Sequence, residues 1–360
     1  MAHHVLMTGG GTLGPVTPLL AVVTEWRKRD PDVKVSWIGT QTGPERVLVE
    51  GAKINFESIV APKLDRTRWW TVPLVPLLLV ISCFQAYRML NKLQPDIVMS
   101  AGAYVSVPVA WMARVKGIPV WVHQLDVIPG LANRLMARVA TKISVTWTES
   151  LSSFPANKTE VVGAMARKFV KAGDQQIARE RYGFAADKPT VLVMGGGTGA
   201  ASVNSLMLTI APELVRTANV LHLTGRGKLL GALTELDANY VAVEFLHEGM
   251  ADAYAVADVV VARAGMGTIA ELAALGKPTI LLPILDSHQE ANARAVVERQ
   301  AAELVGFLTP QTLLQAIVKL LQDKPRQLEL SHNIRGIFAL NADERIVHGC
   351  VALLTPEVKS

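Results

Sequence analysis

The stretch Val259–Asn292, VVVARAGMGTIAELAALGKPTILLPILDSHQEAN, gathers residue types that suit a phosphorylated, hydroxyl-rich ligand. Gly265 and Gly267 interrupt an apolar run just where a helix would open, and a helix N-terminus offers unpaired N–H groups to phosphate. Met266, Gly267 and Thr268 form that opening, with Thr268 a candidate cap. Glu271 is one carboxylate on the helix, and Ser287, His288, Gln289, Glu290 and Asn292 form a polar exit loop able to pair with hydroxyls. Taken alone, this is also what an ordinary βαβ unit with a polar loop looks like.

Two glycine loops repeat the phosphate-compatible device. Gly9-Gly10-Gly11-Thr12-Leu13-Gly14 and Gly195-Gly196-Gly197-Thr198-Gly199 each come after an apolar strand ending in Met and open a helix. Neither ends in Gly-Lys-Ser/Thr as a P-loop does, and neither is a clean GxGxxG fingerprint. Tight strand-to-helix turns use glycine for structure as well. Tyr104 and Ser106, in GAYVSVP, and His123 and Asp126, in HQLD, sit at further strand ends, where site residues gather. A structural turn and a structural histidine are the plain alternatives there. No His/Asp/Glu spacing suggests a metal.

The elements that must hold these residues alternate. His4–Met7, Val33–Ile38, Asp96–Met99, Val120–His123 and Ile143–Thr146 read as strands, with helical runs between them such as Leu19–Lys28. The pattern restarts at Thr190–Met194 and continues through Val220–Leu223, Val241–Phe245, Val259–Ala262 and Thr279–Leu282. Gly276-Lys277-Pro278 stops the helix after Val259–Ala262. Leu328–Leu354 looks helical. Such alternation predicts parallel, helix-covered sheets, and the repeated opening predicts two similar Rossmann-like domains. The expected division is 1–164, 165–335 and a helical segment 336–360 that packs back on the first domain.

At 360 residues the chain is long for one core. Half of its residues are hydrophobic and 19% are charged, which excludes a disordered chain. The net charge of +5 fits an anionic ligand or membrane surface, and no Lys/Arg run or RNA-binding aromatic signature points to nucleic acid. Cys83 and Cys350 form no disulfide framework, and the N-terminus carries no signal-peptide pattern, so a cytoplasmic protein is expected. Trp69–Phe84, WWTVPLVPLLLVISCF, is too short to span a bilayer, which takes about 20 residues. It reads either as a buried helix or as an interfacial membrane contact beside Lys63, Arg66 and Arg68.

The ordered series TGGGTLGPVTPLLAV, PDIVMSAGAYVSVPVAW, GIPVWVHQLD, PGLANRLMARVATKI, VVGAMARK, VMGGGTGAASVN and ADVVVARAGMGTIAELAALGKPTILLPI with DSHQEANA resembles the bacterial lipid II-forming glycosyltransferases (MurG-like, glycosyltransferase family 28). The resemblance covers nearly the whole chain. It implies a GT-B fold, α/β, with two Rossmann-like domains whose parallel sheets face a cleft. It also implies inverting, metal-independent transfer of N-acetylglucosamine from UDP-GlcNAc to undecaprenyl-linked lipid I. No cofactor is implied. The implied setting is the cytoplasmic face of the cell membrane, held peripherally on an anionic surface, with other cell-wall synthesis proteins as further partners.

By the same resemblance, Glu271 matches the glutamate on the ribose, and Gln289 with Glu290 the pair on the sugar. Phe245-Leu246 matches the segment whose backbone reads uracil; Gly196, Gly197, Thr198, Met266, Gly267 and Thr268 face the diphosphate, and Arg167 serves the donor phosphates. Gly10, Gly11, Thr12, Gly14, Tyr104, Ser106 and Asp126 line the acceptor side. Trp69, Trp70, Leu74, Leu77 and Leu78 fall on the membrane-association patch, which favours membrane contact for that stretch.

The departures leave the donor side better preserved than the catalytic side. Pro15 replaces a histidine thought to act in catalysis, Leu13 replaces a glycine, Asp126 replaces an asparagine, Gln124 a glutamate, and Gly197 a serine. Proline can neither take a proton nor donate one. Asp126 is therefore the expected base, with His123 in reserve. Two other readings stay open: a related transferase acting on another membrane lipid, and a UDP-sugar-binding scaffold without transfer.

Overall fold

A computed structural model describes residues 3–61, 74–196, 200–234, 236–246 and 249–355. The chain divides into two compact units, Met1–Met165 with Ala339–Ser360, and Ala166–Phe338.

In the first unit the order is β1 (His4–Thr8), α1 (Val16–Arg29), β2 (Lys34–Thr40), α2 (Glu45–Gly51), β3 (Asn55–Ile59) and α3 (Val75–Leu93). It continues with β4 (Ile97–Ser100), α4 (Ser106–Val115), β5 (Val120–Gln124), α5 (Leu131–Ala137), β6 (Lys142–Val145) and β7 (Thr159–Val161). Among the described residues these strands form one parallel sheet ordered β3-β2-β1-β4-β5-β6-β7. The inner strands are apolar on both faces because helices cover both.

The second unit runs α6 (Gln175–Tyr182), β8 (Thr190–Met194), α7 (Ala201–Leu214), β9 (Asn219–Leu223), β10 (Tyr240–Val243), α8 (Met250–Val256) and β11 (Val259–Ala262). Then come α9 (Met266–Leu275), β12 (Thr279–Leu281), α10 (His288–Glu298), β13 (Glu303–Leu304), α11 (Pro310–Gln322) and α12 (Lys324–Gly336). Its parallel sheet is ordered β10-β9-β8-β11-β12-β13 among the described residues. Strand order reverses between β1 and β4 in one sheet and between β8 and β11 in the other. Ligands of open α/β sheets bind beyond the carboxyl ends of the strands at such points.

The last helix, α13 (Ala342–Leu354), belongs to the first unit. Ala342, Ile346, Val347 and Cys350 join the core built from α1, Trp37 and Trp121. Gly349 allows the approach: a Cβ there would stand 2.4 Å from the Trp121 ring. Ala164 donates to the Ala339 carbonyl at 2.9 Å, tying the returning chain to the end of the sheet domain.

Three expectations change. The helical segment Leu328–Leu354 is two helices, α12 and α13, separated after Gly336. Helix α9 begins at Met266 with Gly265 as its cap, so Thr268 lies inside the first turn and caps nothing. The strands β3, β7 and β13 were not anticipated; all are edge or near-edge strands with partly exposed, mixed sequences, and β13 has only 2 residues.

Candidate functional site

In the second unit, the loops after β8 and β11 flank the switch point. Gly196 has φ +87°, a left-handed conformation that glycine adopts without strain. Gly197 and Thr198 lie outside the described residues. Helix α9 has no side-chain cap, and its N-terminus stands at the carboxyl end of β11. A Cβ added to Gly196, Gly265 or Gly267 would meet nothing within 4 Å, which marks open space at the carboxyl ends of β8 and β11. Met266 is buried beneath this opening, Gly267 is exposed and Thr268 half-buried. This arrangement can receive a doubly charged phosphate group.

Glu271 lies one turn into α9 and is buried. Its carboxylate accepts from Arg167 Nε, from Arg167 Nη2 at 3.0 Å and from the Tyr254 hydroxyl at 2.8 Å. Burial alone would lower the Arg167 pKa, but the hydrogen bond and charge of Glu271 outweigh it and leave it raised. Burial, then the Glu271 charge, holds the Tyr254 phenol well above its ordinary pKa, so it stays a hydrogen-bond donor. Gln289 and Glu290 open α10, where Ser287 is the cap and accepts from the Gln289 N–H at 3.2 Å. Gln289 Oε1 accepts from the Ile284 N–H at 3.3 Å and Glu290 from the Asp286 N–H at 3.1 Å, so both side chains shape the exit loop of β12. Leu246 is half-buried beyond β10, next to the exposed Phe245.

In the first unit, the glycine loop after β1 is already occupied by an anion of the protein. The buried Glu45 carboxylate accepts from the Gly11 N–H at 3.1 Å, the Thr40 N–H at 2.7 Å and the Thr40 hydroxyl. A Cβ at Gly10 would stand 2.1 Å from Glu45 Oε1, and one at Gly43 1.9 Å from Oε2. The glycines here are needed for the packing of Glu45. In this structure the Gly11 N–H is thus given to Glu45. Thr12 and Gly14 are exposed, and Pro15 stands at the N-cap of α1. The Tyr104 ring packs on Gly11, where an added Cβ would come within 2.9 Å of it. Burial, and then Glu45, raise the Tyr104 pKa. Ser106 is buried and donates to the Gly102 carbonyl at 2.9 Å, a structural bond at the start of α4.

Asp126 is half-buried just past β5. Its carbonyl accepts from Gln124 Nε2 at 2.7 Å, and the buried Gln124 is joined in turn to Asn133. His123 is fully buried, with Nδ1 2.9 Å from the Ser144 hydroxyl and Nε2 3.4 Å from the Thr146 hydroxyl. Burial lowers its pKa to about 4. Both ring nitrogens are engaged inside the sheet, an arrangement that suits a structural histidine better than the expected reserve base.

Residues 5–145 match the glycosyltransferase family 28 N-terminal domain, and residues 190–346 the family 28 C-terminal domain. A curated UDP-N-acetylglucosamine--N-acetylmuramyl-(pentapeptide) pyrophosphoryl-undecaprenol N-acetylglucosamine transferase from Lachnospira eligens is 36% identical over 326 residues, 89% of this chain and 91% of that protein. The protein of the same name from Legionella pneumophila is 33% identical over 96% of both chains. The crystal structure of Acinetobacter baumannii MurG superposes with a TM-score of 0.76 at 26% identity, covering 98% of this chain and all of that one.

The chain belongs to glycosyltransferase family 28. Its fold is the α/β GT-B type, two Rossmann-like units each with a parallel sheet. Within this family 28 chain, sequence reasoning missed three residues that the fold brings to the loops. Tyr254 reaches Glu271 from α8, 17 positions away. Glu45 reaches the first glycine loop from α2, 34 positions away. Arg263, at the end of β11, donates to the carbonyls of Leu282 and Pro283 at 2.8 and 3.0 Å and to the Ser202 hydroxyl at 2.8 Å. It thereby ties the start of α7 to the exit of β12. Only the position of Arg263, directly before the glycine turn, was a visible signal.

Of the proposed membrane stretch, residues 75–84 form the first part of α3. Leu74, Leu77, Val80 and Phe84 are exposed, at 54%, 60%, 68% and 63%, whereas Leu78 is half-buried. Trp69 and Trp70 lie outside the described residues. Arg88 stacks on Phe84 with Cζ 5.9 Å from the ring centre. Among the described residues no helix is long and apolar enough to cross a membrane.

Proposed function

We propose that this chain transfers N-acetylglucosamine from UDP-GlcNAc to undecaprenyl-diphospho-N-acetylmuramoyl-pentapeptide, converting lipid I to lipid II in peptidoglycan synthesis. The observation that carries this reading is the shared name of relatives that match at 36% and 33% identity over 89% and 96% of this chain. The α9 N-terminus, which has no side-chain cap, and the Arg167–Glu271–Tyr254 cluster support this reading: amides for the diphosphate, a carboxylate for ribose hydroxyls and a cation.

The Asp126 carboxylate removes the proton of the acceptor 4-hydroxyl, and that oxygen attacks the anomeric carbon. The bond from the anomeric carbon to the diphosphate oxygen breaks, the sugar inverts, and UDP leaves with the electron pair. General-base catalysis of this kind contributes about 10²–10⁴-fold. The α9 amides and Arg167 stabilise the charge on the departing diphosphate. The exposed apolar face of α3, with Arg88 beside it, holds the enzyme on the cytoplasmic membrane surface where a polyprenyl acceptor resides.

A second reading, UDP-sugar binding without transfer, is favoured by Pro15 at the start of α1 and by Glu45 filling the neighbouring loop. Radiolabelled N-acetylglucosamine transfer to a short-chain lipid I analogue separates the two. Product that disappears in Asp126→Asn supports the proposal. UDP-GlcNAc binding with no product on any lipid acceptor overturns it, and near-normal turnover in Asp126→Asn removes Asp126 as the base.

A further inference from the structure

Arg263 follows β11 directly, two residues before Gly265, and joins three neighbouring strand ends. Its backbone N–H donates to the Met194 carbonyl at 3.4 Å, where β8 ends. Its Nη1 donates to the carbonyls of Leu282 and Pro283 at 2.8 and 3.0 Å, just past β12. Its Nη2 donates to the Ser202 hydroxyl at 2.8 Å, in the first turn of α7. The guanidinium is half-buried, and among the described residues none of its partners is a carboxylate. These bonds fix geometry and leave the charge in place.

Leu282 and Pro283 carry the chain into the loop 284–287 and then into the first turn of α10, where Gln289 and Glu290 stand. The loop is not a relaxed one. Asp286 takes φ +55°, the left-handed region that disfavours a residue with a Cβ, so the shape persists only where its surroundings hold it. The Ser287 hydroxyl donates to the Ile284 carbonyl at 2.7 Å, which ties the loop to itself. Arg263 ties it to the glycine turn. The buried Asn292 of α10 adds a second tie to the same segment, donating to the Ala264 carbonyl at 3.2 Å. Residues 263 and 264 thus set the spacing between the turn and the Gln289–Glu290 pair. A shift of about 1 Å in that spacing takes a hydrogen bond out of range.

We propose that Arg263 is the positioning residue for the sugar end of the donor: its fork holds the loop before α10 so that Gln289 and Glu290 meet the sugar hydroxyls while the diphosphate lies on the glycine turn. This rests on the reading of the second unit as a UDP-sugar site. Arg263 acts through the loop and not by touching the donor. A lysine keeps the charge but loses the planar fork whose two nitrogens serve the two loops separately.

Titration calorimetry of the full chain with UDP-GlcNAc and with UDP tests this. Arg263→Lys raises the dissociation constant for UDP-GlcNAc about tenfold, the scale of one lost hydrogen bond, and leaves that for UDP nearly unchanged. Ser202→Ala, which removes one arm of the tie and no charge, shifts the same ratio in the same direction by less, and serves where the lysine variant melts early. Equal weakening of the two ligands makes Arg263 a structural tie of the whole unit and overturns the proposal, as does wild-type binding of both in Arg263→Lys. Wild type that binds neither ligand overturns the donor-site reading itself, an outcome distinct from failure of the positioning role.

Discussion

Arg167 and Glu271 form a forked ion pair in the second unit, with Arg167 Nη2 3.0 Å from Glu271 Oε2 and Nε on Oε1. Tyr254 adds a third donor, so both carboxylate oxygens are in use. Three donors still leave lone-pair capacity on this carboxylate for a further hydrogen bond, and the Arg167 side chain beside it is 41% exposed. On the proposed donor reading, Glu271 takes the ribose hydroxyls beside this pair. Glu271→Ala should raise the dissociation constant for UDP by more than tenfold in titration calorimetry. It should also cost about 1–2 kcal/mol of stability, less than a fully buried pair because Arg167 is partly solvated. Melting of the second unit should fall by roughly 3–6 °C.

The strands that carry this site were legible because they are buried on both faces and end at glycine. Val259–Ala262 and Thr190–Met194 match the observed β11 and β8, and Gly276 does end α9, in the left-handed conformation with φ +64°. The partners of the site residues were not legible. A glycine triplet followed by Thr reads the same whether its amides face a ligand or a carboxylate of the protein. Glu45 decides the matter from 34 residues away. His123 has the same difficulty: a histidine at a strand end is a candidate base until Ser144 and Thr146 are seen to close around it. Arg226 stacks on Phe245 across two loops that no periodicity links.

Glu45 should prove to be the residue that shapes the first glycine loop. Gly10→Ala drives a Cβ to 2.1 Å from its carboxylate, and the buried Glu45 has no open space to retreat into. Displacing it leaves the Gly11 and Thr40 N–H groups short of an acceptor. The expected loss is about 2–3 kcal/mol, read as a lowered denaturation midpoint. Transfer to a lipid I analogue should fall further than UDP binding, because the loop belongs to the first unit. Equal falls in both would argue for global unfolding.

Acid should weaken the fold through two histidines. His123 in the first unit and His222 in the second are buried, and burial lowers each pKa to about 4. In the unfolded chain each titrates near 6.5. Between these values the unfolded state binds more protons, so stability is complete above about pH 6.5 and is lost as pH falls towards 4. Each histidine contributes up to about 3 kcal/mol of this loss. Urea midpoints measured from pH 7 to pH 4 should fall steeply, and His123→Gln should flatten the slope for the first unit. His123→Gln should also retain turnover, since the ring touches no substrate; a large kcat loss without a stability loss would return it to the catalytic machinery.

Helix α13 should be required for the first unit to fold. Its residues Ile346, Val347 and Cys350 are fully or almost fully buried against the core of α1 and Trp121. Gly349→Ala places a methyl 2.4 Å from the Trp121 ring, whose indole N–H is fixed to Ser144 at 2.9 Å and cannot tilt freely. Overpacking of this kind costs about 1–3 kcal/mol. The first unit should melt earlier while the second, measured by UDP protection against heat, is unchanged.

The exposed face of α3 makes a prediction that separates membrane binding from chemistry. Leu77 and Phe84 lie seven positions apart, two helical turns, and are 60% and 63% exposed. Each apolar side chain driven into the interface contributes roughly 1–2 kcal/mol, and Arg88 adds attraction to anionic headgroups. Leu77→Glu with Phe84→Glu removes both insertions and sets two negative charges against the lipid phosphates. Cosedimentation with phosphatidylglycerol vesicles should fall by at least tenfold, and raising salt should weaken the wild type further through screening. Turnover of a polyprenyl acceptor embedded in vesicles should drop far more than turnover of a short-chain acceptor in solution. Equal losses on the two acceptors would mean that α3 supports the acceptor site itself rather than the membrane.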